Sequence, residues 1–388
     1  MPTKKIMILG ASILQVPLIN QVNENGYSSI VLDYNPNAVG RKLADEFYEV
    51  STIDIEKVLE IASKIKPDAI LTAATDMPIR TVAYVSEQLG LKSLSYETAC
   101  ICTDKHLMAE KLINAKVSTP NYFYLDLTKE LNINDFTKLS FPIIIKPTDS
   151  SGSRGVIKVE NINGISEAVN YSSEISKNKK LIVQEFIEGE EVSVECLVND
   201  GEISVVQITD KETTGSPHFV ELGHKQPSRL PEEVIEKIND LAKDAVKVLN
   251  INNSAAHIEM RIEDGTPYII EVGARLGGDF ITSHLTPLST GTNMLQAIID
   301  ISLDEKPIIS SEIIGYSRVF FFSKNVTDTN LEKIKQKYKN EIIEFFYEST
   351  HDTIEILSSS DRIGHVIFKT KTLTEMLEIE SLMQQILN

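Results

Sequence analysis

Residues 257–279 read HIEMRIEDGTPYIIEVGARLGGD, and this stretch decides both the fold class and the chemistry. Two strand-like runs, His257–Ile262 and Tyr268–Val272, flank the turn-forming residues Glu263, Asp264, Gly265, Thr266 and Pro267. Each run carries one acid in an apolar setting, Glu259 and Glu271. Burying a carboxylate among Ile, Tyr and Val is costly unless a cation or a donor meets it. Two such carboxylates on neighbouring antiparallel strands suit a hard divalent cation, Mg²⁺ above all, held jointly with substrate phosphates. Arg275 follows four residues after Glu271, on a Gly-rich loop that lets backbone approach a ligand closely. The hairpin therefore reads as a phosphoryl-transfer site, with metal, anchor and cation in one segment.

Upstream, Ile6–Leu9 is a short apolar run ending in Gly10, followed by a helical pattern to about Asn25 and a second strand at Ile30–Asp33. Strand signals return at Phe47–Val50 and Ala69–Thr72, with a helix from about Ile55 to Ile65 between them. This alternation predicts a parallel α/β sheet over roughly residues 1–95. A dinucleotide fold is disfavoured, because Ser12 and Gln15 stand where the second and third glycines of a Gly-x-Gly-x-x-Gly turn belong. Asp33 and Asp76, taken singly, read as ordinary strand-end loop residues.

The net charge of −18 argues against nucleic acid or an anionic membrane as the main partner. With 388 residues the chain is expected to form two or three domains. Cys100, Cys102 and Cys196 give neither a disulfide framework nor a repeated metal-ligand pair, so they read as free, buried or partly buried thiols. The expected compartment is the cytoplasm. Ile6–Leu9 is too short for a signal-peptide core. No stretch approaches the ~18 apolar residues that a spanning helix needs.

Further segments carry chemistry. Ile143–Lys146 is an apolar strand ending in a lysine before Pro147, and the small-residue loop 150–155 (SSGSRG) leads into the strand Gly155–Val159. Such a loop offers backbone N–H groups to phosphate oxygens, although a solvent-facing hairpin turn looks the same. The strand Leu181–Glu185 runs into Phe186, Ile187 and the acidic Glu188–Glu191, which is either an adenine-contacting edge or a solvated turn. Lys105 opens a helix over Lys105–Asn114. The polar segment 210–230 is read as a loop between strands and the helix Glu232–Leu249, and its Lys211, His224 and Arg229 are candidates to bind a substrate carboxylate.

Order and spacing together make residues 1–310 resemble the ATP-grasp enzymes. Within them, the chain resembles the carboxylate–amine ligases related to biotin carboxylase and the L-amino acid ligases. The residues that carry the resemblance are Asp104-Lys105, Ile145-Lys146-Pro147, the loop 150–155, Gln184–Ile187 with Glu191, and Glu259, Glu271 and Arg275. The resemblance implies an α/β fold with an N-terminal parallel pre-ATP-grasp domain (1–95), a two-lobed ATP-grasp domain (96–310, small nucleotide lobe about 118–190) and a C-terminal biotin-carboxylase-like subdomain (311–388) acting as a lid.

It also implies roles. Lys105 and Lys146 would contact nucleotide phosphates, under a flap that includes Ser151, Gly152, Ser153 and Gly155. Glu185, Phe186 and Ile187 would form the adenine hinge, with Glu191 on the ribose. Glu259 and Glu271 resemble Mg²⁺ ligands, with Mn²⁺ as the alternative ion. His257 is either a phosphate-side contact or a core histidine. Arg275 with Lys146 would meet the charge of an acyl phosphate, and Arg275 with Gly277 and Gly278 the reacting carboxylate. Many family members carry Asn two residues after the second metal-binding Glu; here Gly273 stands there.

The implied reaction joins a small carboxylate, an amino acid, to an amine with release of ADP and phosphate. The alternatives are bicarbonate activation, loading of a carrier protein or modification of a protein partner, and a non-catalytic ATP-binding regulator. The expected assembly by resemblance is a homodimer.

Overall fold

The computed structural model describes residues 3–349 and 356–387; the ends of the first and last expected segments and part of the C-terminal one lie outside the described residues. The N-terminal unit is a four-stranded parallel sheet in the order Glu46–Glu49, Ser28–Asp33, Lys5–Leu9, Ala69–Leu71. Helices Val16–Glu24 and Ile55–Ile65 connect its strands, and together with Ile79–Leu89, which follows the last strand, they cover the sheet, as parallel pairing requires. Gln15 is buried, and its amide bonds both the N–H and the C=O of Ala73 and also Thr75 Oγ1. It thereby clasps the loops that follow the first and fourth strands. The Asp33 carboxylate accepts from the N–H groups of Ala11 (2.7 Å) and Asn35 (2.8 Å), which makes it a loop anchor.

Asp104 caps the helix Lys105–Asn114, its carboxylate accepting from the N–H of His106 at 2.9 Å. This cap sets Lys105 at the head of the helix. Beyond it, an antiparallel sheet in the order Tyr122–Asp126, Lys180–Glu185, Ile143–Pro147, Ile157–Val159 forms a small lobe. Its inner face (Ile143, Ile145, Leu181, Val183) packs with Phe136 against Ile165, Ala168 and Val169 of the helix Ile165–Ile175.

The body is one eight-stranded antiparallel sheet. Its order is Thr266–Gly273, Ser254–Glu263, Glu190–Asn199, Glu202–Thr213, Glu221–Gln226, Tyr316–Phe322, Gly364–Thr370, Ile342–Tyr347. Helix Glu232–Val248 lays Val234, Ile238, Ala242, Ala245 and Val246, one helical stripe, against it. One expectation changes. The segment 210–230 is not one loop: about half of it belongs to the strands Glu202–Thr213 and Glu221–Gln226, which pair with each other. Its polar side chains neutralise one another, so an apolar alternation is not what makes it a strand. The C-terminal strands join the same central sheet. Tyr316–Phe322 pairs with Glu221–Gln226 and extends the central sheet across the boundary expected near residue 310. Cys102 and Cys196 are buried and all three cysteines are free, with burial pushing the Cys102 thiol up to about 12.

Candidate active site

A cleft of about 660 Å³ lies between the small lobe, the central sheet and the loops of the N-terminal unit. At its floor Glu259 and Glu271 are direct cross-strand partners. A bulge follows in the second strand, leaving Ile270 unpaired on the cleft wall; bulges of this kind re-aim side chains beside active sites. Like charges placed opposite one another repel, and each is met by a lysine. Lys105 Nζ donates to Glu271 at 2.6 Å, and Lys211 Nζ to Glu259 at 2.9 Å. Lys211 also meets Glu191 at 2.9 Å. Burial would pull Lys211 down, but Glu191 and Glu259 outweigh it and hold the ammonium well above its usual range. Glu259 is the mirror case: burial raises it, while Lys211 and His257 hold it well below the carboxylate range.

His257 bridges two acids. Its Nδ1 lies 2.6 Å from Oε1 of the fully buried Glu195, and its Nε2 3.5 Å from Glu259. Burial would lower His257, yet Glu195 and Glu259 together raise it to about 9. Gly277 makes room for this pair, since a Cβ there would stand 2.7 Å from His257 Nδ1 and 2.8 Å from Glu195 Oε2. A histidine whose folded value exceeds its ordinary 6.5 stabilises the fold fully below about pH 6.5, and that contribution fades as pH rises through about 9. Urea unfolding in EDTA should therefore show about 3 kcal/mol lost across this window, and Glu195→Gln should flatten the dependence.

At the small-lobe end, Lys146 is 5% exposed and its ammonium has no hydrogen-bond partner among the described residues. Burial pulls its ammonium down to about 8 against the opposing influence of Glu271, with Lys105 adding to the fall. Lys105 Nζ reaches the carbonyl of Ser150 at 2.8 Å and so ties the loop 150–155 to Glu271. Left-handed backbone at Gly152, Ser153 and Gly155 (φ 65°, 58° and 77°) curls that loop over the cleft, with Ser151, Gly152, Ser153 and Arg154 on its lining. Glu185, Phe186, Ile187 and Glu191 line the cleft too. The Glu185 carboxylate accepts from Asn121 Nδ2 (2.7 Å) and the Ser140 N–H (2.9 Å). The Phe186 ring lies under the cations of Lys158 (4.3 Å) and Arg261 (4.6 Å).

Arg275 reaches the cleft in the grip of a residue the sequence does not single out. Its Nε and Nη2 donate to the two carboxylate oxygens of Asp76 at 2.6 and 2.9 Å, a bidentate fork. The burial of Asp76 opposes ionisation, but Arg275 more than offsets it. Gly273 now has a physical reason. A Cβ at that position would lie 3.2–3.3 Å from Arg275 Cζ, Cγ and Nε, so the arginine folds over the space an Asn side chain would fill. Gly273→Asn should consequently displace Arg275 and lower turnover at least tenfold, instead of improving metal binding; a steady-state assay of ADP release over a Mg²⁺ series checks this.

The far wall joins three parts of the chain. Arg362 forks onto Asp279 at 2.7 and 2.8 Å and stacks on Phe321 at 3.8 Å. His224, 1% exposed, lies 3.6 Å from Asp279, and the segment 359–362 closes this end. Asp279 is held well below the carboxylate range: burial raises it, and Arg362 and His224 overcome that. The sequence itself places the segment Asp279–His284 on the pocket wall, and Asp279 lines the cleft; Arg362 escapes a sequence reading because it lies 83 residues from Asp279. Gly278 lines the cleft; Gly277 lies beneath His257. Arg229 does not join them. Its guanidinium forks onto Glu380 of the C-terminal helix Leu373–Leu387 at 2.7 and 2.9 Å, and Arg318 meets the same acid at 2.5 Å. Arg229→Ala should accordingly cost about 1.5 kcal/mol of stability in a denaturant titration, since Arg318 still meets Glu380, and leave the KM for a carboxylate unchanged.

Glu259 and Glu271 supply hard oxygen donors on facing strands, already balanced by cations in the positions a divalent ion would relieve. They fit Mg²⁺ completed by phosphates and water. Among the described residues no cluster of three or more His, Cys, Asp or Glu is arranged to hold an ion unaided. Residues 139–283 match the ATP-grasp domain family. The chain carries an ATP-grasp domain. It is 26% identical over 274 residues to the alanine–anticapsin ligase of Bacillus subtilis (strain 168), an alignment covering 64% of this chain and 56% of that protein. It is also 26% identical over 291 residues to the carbamoyl phosphate synthase large chain of Thermoanaerobacter sp. (strain X514). That match covers 74% of this chain, which spans only about a quarter of the relative (26%). The likeness of fold extends over nearly the whole chain. The L-amino acid ligase from Bacillus licheniformis superposes with a TM-score of 0.82 at 22% identity, covering 98% of this chain and 97% of that one. No helix among the described residues is long and apolar enough to cross a membrane.

Proposed function

We propose that this ATP-grasp chain is an ATP-dependent carboxylate–amine ligase, which activates a small carboxylate, an amino acid, as an acyl phosphate and joins it to an amine. The observation that carries this is the register pairing of Glu259 with Glu271 beneath three converging cations, Lys105, Lys146 and Arg275. Phosphoryl transfer needs little covalent help from a protein; it needs positioning and charge neutralisation. Lys105 and Lys146 bind the phosphates, and the loop 150–155 covers them and excludes water from the acyl phosphate. Glu185 to Ile187 seat the adenine, and Glu191 turns from Lys211 toward the ribose. Glu259 and Glu271 would hold Mg²⁺, which would supply positive charge to offset that of the phosphates; Mn²⁺ suits the same oxygens.

Arg275, aimed by Asp76, holds the carboxylate in line and meets charge developing on the transferred group. The amine then displaces phosphate from the acyl carbon. The similarity to alanine–anticapsin ligase and to an L-amino acid ligase fold supports an amino acid as the carboxylate. The test is product analysis with Mg-ATP and pooled amino acids. ADP and phosphate formed only with the pool support this reading, whereas AMP and pyrophosphate would overturn it.

A further inference from the structure

Three large apolar side chains stand open to solvent on one wall of the cleft: Ile13 (67% exposed), Leu14 (38%) and Met77 (47%). Single exposed apolar residues on a surface need no explanation, but several gathered in one cleft do. They come from two loops at the carboxyl edge of the N-terminal parallel sheet, the edge where open α/β sheets receive ligands. The placement is built. Gln15, next to Leu14, is buried and clasps both loops through Ala73 and Thr75. Ala74 has left-handed backbone (φ 50°), a conformation that a residue with a Cβ rarely adopts. Ala74 also packs closely beside the arginine loop, since a Cβ on Gly278 would lie 3.8 Å from its side chain. Asp76 then forks onto Arg275, and Met77, the next residue, stands at the mouth. One short loop thus aims the cation and presents the apolar surface.

From this juxtaposition we propose that the activated substrate is a carboxylate bearing a medium-sized apolar side chain, seated on Ile13, Leu14 and Met77. The proposal rests on the ligase reading and goes beyond it by naming the class of acid. Charge complementarity orients the occupant. Its carboxylate goes inward to Arg275, beside the phosphates held by Lys105 and Lys146, and its apolar group is left at the wall. A one-carbon acid such as formate or bicarbonate leaves that wall uncovered, and an acidic side chain places a charge against it.

The experiment traps the acyl phosphate with hydroxylamine, a small nucleophile that makes no demand on the amine site, and measures hydroxamate and ADP. L-Leucine and L-methionine should exceed glycine, L-glutamate and formate in kcat/KM by about tenfold or more, the effect of burying one Leu-sized side chain. Met77→Asp and Ile13→Asp should raise the KM for the apolar acid about tenfold relative to that for ATP, and Met77→Leu should restore it. Both positions are exposed, so the fold is not at stake. Hydroxamate formed from glycine or formate as readily as from leucine would overturn the proposal alone, as would an unchanged KM in both Asp variants. No hydroxamate from any acid, with ATP still bound, would overturn the ligase reading and this proposal with it.

Discussion

Glu271→Gln is expected to lower ATP-dependent turnover about a thousandfold and to leave the fold intact. Glutamine keeps the shape but removes one of the two charges that face each other at the cleft floor. It offers a divalent ion one weak oxygen in place of a carboxylate. It also frees Lys105, now 2.6 Å from Glu271, so that the lysine and the Ser150 carbonyl it holds lose their reference point. The cost to stability is small, because Glu271 is partly exposed and its strand pairing is through backbone; a change within about 0.5 kcal/mol is expected. ADP release and denaturant unfolding, measured on the same preparation, separate the two effects. Turnover near that of the parent protein would defeat the assignment.

Arg275→Ala should lower turnover comparably, by two to three orders of magnitude on the ~10²–10³ scale of losing one charge-stabilising donor, and in this case stability should fall as well. Removing the guanidinium leaves the mostly buried Asp76 without its fork, and losing hydrogen bonds to a charged group costs about 1.5–3 kcal/mol. The double variant Arg275→Ala with Asp76→Asn should regain part of that stability but none of the activity. Recovery of activity in the double variant would show that Arg275 matters only as the partner of Asp76.

The helices and strands that carry their own periodicity were legible: Ile55–Ile65, Glu232–Val248 and the metal-side hairpin stand where the pattern of apolar residues puts them. The pairing of Glu259 with Glu271 could be anticipated because a two-strand hairpin fixes its own register locally. What was not legible depends on distance along the chain or on mutual neutralisation. Asp76 is 199 residues from the arginine it holds. Glu195 sits in VSVECLV, where one acid in a buried strand makes sense only once His257 is seen beside it. Lys211, Glu212, Glu221 and Lys225 looked like a solvated loop, because an ion-paired strand has the composition of a loop. Arg229 resembled a substrate ligand for the same reason: its carboxylate partner, Glu380, lies in the last helix.

The unbroken eight-stranded sheet bears on how the molecule can deform. The strands that carry Glu259 and Lys211 are linked by continuous backbone hydrogen bonds to Tyr316–Phe322 and Gly364–Thr370. Swinging the C-terminal segment as a hinged cover would mean shearing that ladder, so it behaves as part of a stiff chassis. Compliance is left to the four-stranded small lobe, whose sheet is separate and whose loop 150–155 is joined to the floor by the Lys105 contact. A movement of the small lobe over that floor therefore requires no break in the central ladder.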